Sequence, residues 1–257
     1  MYSSYRPIHD ASYLRSKSST FANPPCLQNL CPSKDSPPPG TLIYSKGAFG
    51  IHVVDGEASH LYTQNLSLFA KLFLDTKSVF YDVTTFLYYL LIYTDPEDGS
   101  SQVIGYFSKE KMSWDNNNLA CICVFPPWQR KGYGQILMAA SYELSKREGR
   151  LGGPEKPLSE LGRKGYLAFW STTIARQLLA QPAKRQITVR SISEETYILP
   201  EDIVAALKEM GVLEQRKKGG AEVVINKARV REWVARSGIN LENPVDVEAF
   251  VEVEESE

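Results

Sequence analysis

The segment 118–147 constrains the fold of this chain more than any other part of the sequence. An apolar run at 118–125 has the composition of a strand, and a helical pattern of apolar residues runs from Ile136 to Arg147. Between them lies Gln129-Arg130-Lys131-Gly132-Tyr133-Gly134. Glycines at such a junction let successive N–H groups turn toward one point, at which the positive end of the helix is also directed. The pattern predicts a strand, a loop and a helix in succession, although the same glycines would also serve a plain tight turn.

The sequence before this segment predicts further strands. Residues 41–45 and 49–54 have strand character, and Asp55-Gly56 predicts a hairpin turn that returns the chain through 60–62. The apolar spacing then changes to that of a helix over 65–74. Residues 102–111 are expected to form a strand that pairs antiparallel with 118–125. The run 86–93 is short enough to be either a strand or a buried helix.

The sequence after this segment is mainly helical. A helix is expected over 166–179, and Pro182 prevents it from continuing further. Residues 191–236 predict a helix from Pro200 to Met210, two short strands and a last helix, which is the pattern of a small winged helix-turn-helix.

Four parts of the chain follow from these patterns. They are a disordered Ser- and Pro-rich N-terminus (1–40), a core (41–182), a winged-helix-like part of the same domain (183–240) and an acidic, solvated tail (241–257).

Composition excludes several classes of protein. Of the 257 residues, 43% are hydrophobic and the formal net charge is −1, so neither disorder along the whole chain nor a uniformly basic nucleic-acid-binding surface is expected. Four cysteines are too few for a disulfide framework and favour a reducing compartment. The longest apolar stretch is far shorter than the roughly 18 to 20 residues of a membrane span, so no membrane association is expected.

The run from Asn118 to Gly134 resembles the acetyl-coenzyme A-binding segment of MYST-family lysine acetyltransferases. Other segments resemble that family in the same order and with similar spacing. They are Gln64-Asn65-Leu66, Ala70-Lys71-Leu72-Phe73-Leu74-Asp75, Phe80-Tyr81-Asp82-Val83, Gly105-Tyr106-Phe107-Ser108-Lys109-Glu110-Lys111, Ser141-Tyr142-Glu143-Leu144-Ser145 and Pro154-Glu155-Lys156-Pro157-Leu158-Ser159-Glu160-Leu161-Gly162. The resemblance covers about residues 37–236.

The resemblance implies a fold class and a cofactor. The fold would be α/β (α+β), with a GNAT-like acetyl-CoA-binding core, a mixed and largely antiparallel sheet and a C-terminal winged helix-turn-helix. Acetyl-CoA would be the cosubstrate. The residues that would contact it are Ile122, Cys123, Val124, Arg130, Lys131, Gly132, Tyr133, Gly134, Gln135 and Ser159.

The resemblance also implies catalytic residues. Glu155 matches the family's general base, and a carboxylate whose pKa is raised by burial could take the proton of a lysine ammonium group. Cys121 matches the active-site cysteine, which either carries a transient acetyl group or only assists. Lys77 falls where family members acetylate themselves.

The N-terminus departs from the family, whose members carry a zinc finger there. Cys26, Cys31 and His9 have spacings that no tetrahedral finger uses, so no zinc is expected and the finger is degenerate or missing.

By the same resemblance the chain would act on histone tails and nucleosomes, in the nucleus, within a multi-subunit acetyltransferase complex. Basic residues over 216–231 could make a weak contact with DNA phosphates, or could form a solvated face. Two other functions stay open: a catalytically weak chromatin or DNA-binding adaptor that keeps the fold, and a coenzyme A-dependent transferase for a small amine.

Overall fold

The computed structural model describes residues 38–74, 81–182, 187–216 and 222–251. Within these ranges the chain forms two compact units. The described residues of the first unit are in 38–113, 119–137 and 246–251, and those of the second are in 114–118 and 138–245. None of the helices in these ranges combines the length and the apolar character that a bilayer span requires.

The order of the elements interleaves strands and helices. They are β1 (Thr41–Lys46), β2 (Phe49–Asp55), α1 (His60–Lys71), β3 (Phe86–Thr94), β4 (Ser101–Glu110), β5 (Asn117–Leu119), β6 (Cys121–Val124), α2 (Tyr133–Arg147), β7 (Gly153–Pro154), α3 (Glu160–Ala180), α4 (Val189–Thr196), α5 (Pro200–Met210), β8 (Leu213–Arg216), β9 (Glu222–Ile225) and α6 (Lys227–Ser237). Two short 3-10 turns add Pro126–Trp128 and Val247–Ala249.

A five-stranded sheet is the basis of the first unit. Its order is β1-β2-β3-β4-β6, and each neighbouring pair is antiparallel. The predicted pairing of the strand at 102–111 with the strand at 118–125 is confirmed, and the run at 86–93 is a strand. The mixed α/β class with a largely antiparallel sheet is therefore confirmed.

The hairpin predicted at Asp55-Gly56 is wrong. The chain turns there into α1 instead of returning as a strand, because Asp55 Oδ1 accepts the N–H groups of Glu57 at 2.7 Å and of Ala58 at 3.4 Å. A side chain that accepts such N–H groups turns the chain toward a helix. Gly56 permits two backbone segments to approach closely, since a Cβ there would lie 1.8 Å from the carbonyl oxygen of Val83.

The core of the first unit lies between α1 and one face of the sheet. Leu66 and Ala70 of α1 pack in the same buried cluster as Leu90, Tyr106 and Cys123. The last three residues face one another across β3, β4 and β6, as the register of the sheet requires. Packing of α1 therefore covers the side of the sheet on which Cys123 lies.

Helices dominate the second unit. The long helix α3 contacts α4, α5 and α6. Glu195 of α4 accepts hydrogen bonds from the side chains of Gln177 and Gln181, the second at 2.7 Å. The antiparallel pair β8 and β9 follows α5 and precedes α6. The order of helix, two strands and helix is the one that the sequence predicts, while the winged helix-turn-helix itself stays a prediction.

The end of the chain differs from the solvated tail that the sequence predicts. Phe250 is buried, its ring lies 4.8 Å from that of Tyr44, and Val251 N–H donates to the carbonyl oxygen of Ile43 at 2.9 Å. The prediction of a solvated tail rests on the acidic side chains, whereas the apolar Val245 and Phe250 between them are buried.

Candidate active site

Strand β6 carries four of the residues that the sequence assigns to the site, and it is an edge strand of the sheet. It pairs with β4 on one side, and no second strand of the described residues joins its other edge. Gly105 of β4 permits a close approach of the two strands, because a Cβ there would lie 2.7 Å from the carbonyl oxygen of Cys123. An extended amide-containing ligand could join this edge beside Ile122 and Val124, where the carbonyl oxygen of Val124 already accepts one hydrogen bond, from Gln129.

The two thiols of β6 lie on the same face of the sheet. Cys123 is 5% exposed and belongs to the core, as a small apolar residue would, whereas Cys121 is partly exposed and lies opposite Ser108. Burial raises the pKa of the Tyr106 phenol, and Cys121 and Cys123 raise it further. Tyr106 is therefore a neutral phenol beside these thiols.

The loop after β6 has a backbone conformation suited to an anion. The φ angles of Arg130 and Gly132 are +61° and +86°, so residues in the left-handed region alternate with a residue of negative φ. Such an alternation directs successive N–H groups into one concavity. A left-handed conformation is costly for most residues but free for glycine, which explains Gly132.

Helix α2 begins immediately after this loop. Its first backbone hydrogen bonds run from Gln135 and Ile136 to the carbonyl oxygen of Gly132, at 2.9 Å and 3.4 Å. The N–H groups at the start of a helix precede the i−4 carbonyl acceptors of its hydrogen-bond ladder, and the helix dipole is positive at this end. Apart from neighbouring backbone, no atom of the described residues lies within 4 Å of the position that a Cβ of Gly132 or Gly134 would take. The loop and the helix start thus fit a pyrophosphate group.

Gln129 attaches the loop to the end of β6. Its Nε2 donates to the carbonyl oxygen of Val124 at 2.8 Å. One hydrogen bond therefore joins the loop that follows β6 to the end of that strand. The sequence analysis does not single out this residue.

Aromatic rings support the same loop. Tyr133 contacts Phe49 and Trp128 at centroid distances of 5.2 Å and 6.0 Å, and Tyr93 contacts Trp128 at 5.2 Å. Lys131 Nζ lies 5.1 Å from the centre of the Trp128 ring, within the range of a cation–π interaction. Phe49, Tyr93 and Trp128 are not predicted as site residues from the sequence. Trp128 lies next to the glycine motif, which could have indicated it, whereas Phe49 and Tyr93 have no such local signal.

Glu155 directly follows the short strand β7 in the second unit. Gly153 and Pro154 are buried, whereas Glu155 is exposed. The burial that the sequence analysis expects to raise the pKa of Glu155 is therefore not found. The Lys156–Pro157 peptide bond is cis.

Ser159 has a structural contact of its own. Its Oγ accepts the N–H of Gly162 at 3.1 Å and caps the N-terminus of α3. This cap explains why α3 begins at Glu160, several residues before the helix that apolar spacing predicts. The predicted contact of Ser159 with the cofactor stays a prediction.

The candidate residues fall into three groups. Those of β6 and the loop lie in the first unit, and Glu155 and Ser159 lie in the second. Lys77, the N-terminal Cys26, Cys31 and His9, and part of the basic stretch at 216–231 lie outside the described residues. Within the described ranges, no three His, Cys, Asp or Glu side chains come together as metal ligands.

Comparison with characterised proteins gives extensive similarity to acetyltransferases. Histone acetyltransferase MOF of Drosophila melanogaster is 46% identical over 190 residues, which are 74% of this chain and 23% of that protein. Human histone acetyltransferase KAT6A is 43% identical over 212 residues, or 82% of this chain and 10% of that protein. The histone acetyltransferase Tip60 homolog of Caenorhabditis elegans is 45% identical over 192 residues, or 74% of this chain and 41% of that protein. This chain thus spans less than half the length of each relative.

Among solved structures, an aminoglycoside acetyltransferase from an uncultured soil metagenomic sample matches with a TM-score of 0.33 and 14% identity, over 55% of this chain and 93% of that one. That similarity is too low to indicate a shared fold. The model of the MOZ/SAS family, in contrast, matches residues 37–250. This match, together with the relatives at 43–46% identity, shows that the chain belongs to the MOZ/SAS family, which confirms the resemblance to MYST acetyltransferases.

Proposed function

We propose that this chain is an acetyl-CoA-dependent lysine acetyltransferase that acts on histone tails. The observation that carries the proposal is the anion-binding loop, with its left-handed Arg130 and Gly132, between an edge strand and a helix N-terminus. Membership of the MOZ/SAS family and the names of the relatives support the same reaction and substrate.

The cofactor would be bound along β6 and the loop. The backbone of Ile122, Cys123 and Val124 would contact the pantetheine amides, in the way that an extended ligand joins the edge of a sheet. The pyrophosphate would bind the N–H groups and side chains of the loop and helix start, that is, Arg130, Lys131, Gly132, Tyr133, Gly134 and Gln135. Ser159 would add a further contact.

Glu155 would act as the general base. A lysine side chain has a pKa near 10.4, so removing its proton at pH 7 costs about 4–5 kcal/mol. Transfer of that proton to the Glu155 carboxylate leaves a lone pair on the nitrogen, which attacks the thioester carbonyl. A C–N bond forms, the C–S bond breaks, and coenzyme A leaves as the thiol.

Cys121 is the second catalytic candidate. Its place at the start of β6, partly exposed and on the edge strand, is compatible with a thiol that carries an acetyl group or one that only assists. Nuclear residence, membership of a multi-subunit complex, self-acetylation at Lys77 and a DNA contact through 216–231 belong to the same proposal, supported by the family resemblance.

Transfer from labelled acetyl-CoA to core histones and nucleosomes tests the proposal. The full chain should bind acetyl-CoA in calorimetry and should label histone lysines. Cofactor binding with acetylation only of small amines would favour the small-amine transferase. Nucleosome binding without cofactor binding would favour the adaptor and contradict the proposal.

A further inference from the structure

Lys156, the residue after Glu155, is held by the first turn of α5. Its Nζ lies 2.8 Å from Asp202 Oδ1 and 3.4 Å from Glu201 Oε1. The side chain of Asp202 is 6% exposed, whereas that of Lys156 is 43% exposed. The ion pair therefore joins an exposed segment to a buried carboxylate.

The chain before Glu155 contacts the same part of α5. A Cβ on Gly153 would lie 3.0 Å from Leu199 Cδ1 and 3.2 Å from Asp202 Oδ2, so only glycine permits this approach without a shift of its neighbours. Gly153 and Pro154 are buried. The exposed Glu155 is thus flanked on both sides by residues that contact 199–202.

Few groups other than Lys156 compensate the negative charge of the buried Asp202 carboxylate. Burial raises its pKa, while the hydrogen bond and the charge of Lys156 act to lower it and Glu201 adds a smaller upward effect. Its buried Oδ2 has no hydrogen-bond partner among the described residues. The charge of Asp202 contributes to the raised pKa of two phenols, Tyr142 and Tyr166, which are buried as well. Lys156 is consequently the cation on which this carboxylate depends.

We propose that Lys156 and Asp202 are positioning residues for Glu155. The ion pair and the close contact at Gly153 fix the backbone on either side of residue 155, and thereby the place of the carboxylate that receives the proton of the substrate. The proposal rests on the proposed role of Glu155 as general base. Its consequence is that α5, a helix of the winged-helix-like part, takes part in acetyl transfer without touching the reacting atoms.

The first test is a separation of kcat from KM. A misplacement of about 1 Å costs up to roughly 100-fold in rate, so Lys156→Met should lower kcat roughly 10- to 100-fold. The KM for acetyl-CoA should stay unchanged, since the proposed pyrophosphate contacts are elsewhere in the chain. Lys156→Arg, which can still pair with Asp202, should recover most of the rate. Lys164→Met, which removes an exposed lysine of α3, is the matched control and should leave both constants unchanged.

The second test asks whether Lys156 acts through Glu155. In a Glu155→Gln background, Lys156→Met should cause no further loss, because there is no base left to position. Hydrogen exchange of the backbone amides of Gly153, Glu155 and Lys156 should be faster in Lys156→Met and in Asp202→Asn than in the wild type, a readout that does not depend on activity.

The outcomes separate the two proposals. If Glu155→Gln keeps the wild-type rate, the general base is wrong, and the positioning role is overturned with it. If Glu155→Gln is slow but Lys156→Met is as fast as the wild type, or if the two losses multiply in the double variant, the positioning role alone is overturned.

Discussion

At the scale of single residues, backbone conformation explains more of the candidate site than side-chain chemistry does. Gly132 is left-handed in a loop where, among the described residues, no atom beyond its own neighbours would contact a Cβ, so its requirement is conformational and not steric. Gly134, also in open surroundings, lacks a positive φ angle. The two glycines of the motif, equivalent in the sequence, are thus expected to differ in their tolerance of substitution.

Gly132→Ala should weaken acetyl-CoA binding about tenfold, because a left-handed alanine costs about 1–2 kcal/mol in the conformation that presents the N–H groups. Gly134→Ala, in the first turn of α2, should have a much smaller effect on binding. Isothermal titration of both variants measures the difference. Equal losses in the two variants would show that the left-handed backbone is not what the ligand requires.

Ser159 combines a structural contact with a predicted functional one. Ser159→Ala removes the cap of α3 and should cost about 1 kcal/mol, or a fall in Tm of roughly 2–4 °C. Ser159→Asn keeps a capping oxygen and should retain most of the stability, yet it should lose any contact that needs the hydroxyl group. Thermal unfolding and the KM for acetyl-CoA, measured on both variants, separate the roles. A normal KM in both would remove Ser159 from the cofactor site.

At the scale of the elements, local polar contacts decide what apolar periodicity leaves undecided. Spacing correctly predicts α2, and it predicts α5 from Pro200 to Met210 with the bounds that the structure has. It fails at Asp55-Gly56 and at the start of α3, because the side chains of Asp55 and Ser159 set where those helices begin. Residues 86–93 form a strand because they pair with β2 and β4, and no local pattern reveals that pairing.

The start of α1 predicts a pH dependence of stability. Burial acts to raise the pKa of Asp55, but hydrogen bonds from Lys111 and from the N–H groups of Glu57 and Ala58 lower it overall from 3.8. A lowered pKa in the folded state gives stability that is present above pH 3.8 and is lost as the pH falls through the folded value. Asp55→Asn keeps the acceptor for the N–H groups and removes the charge.

The charge of Asp55 should contribute about 0.5 kcal/mol, since its side chain is 40% exposed and its pair with Lys111 is screened by solvent. Urea unfolding at pH 7 and at pH 3 measures it: the wild type should exceed Asp55→Asn at pH 7, and the gap should close at pH 3. A gap that persists at pH 3 would contradict the ionic origin.

At the scale of the whole molecule, the sequence predicts the class of fold and the family, whereas the ends and the supporting contacts need the structure. Residues 241–257 are acidic and are expected to be solvated, yet Phe250 packs on Tyr44 of β1. The Lys156–Asp202 pair joins residues 46 positions apart, and the ring cluster at Trp128 includes Phe49 from β2. Contacts of this kind depend on tertiary packing, and local patterns in one sequence do not contain them.

Packing of the C-terminal segment should be measurable in stability. Phe250→Ala should destabilise the chain by about 2–3 kcal/mol, because it deletes a buried ring against Tyr44. Val251→Ala, at a half-exposed neighbour whose backbone bond to Ile43 is kept, should cost well under 1 kcal/mol. Unfolding by urea compares the two, and equal stabilities would show that the segment contributes little to the fold.

The central claim is that the carboxyl group of Glu155 accepts the proton of a substrate lysine during acetyl transfer. The most direct measurement is the initial rate of labelled acetyl transfer to core histones by the wild type, by Glu155→Gln and by Glu160→Gln, an exposed neighbour at the start of α3. Loss of a general base should lower kcat about 100-fold or more in Glu155→Gln, with the cofactor still bound, and Glu160→Gln should match the wild type. A Glu155→Gln variant as fast as the wild type would contradict the claim.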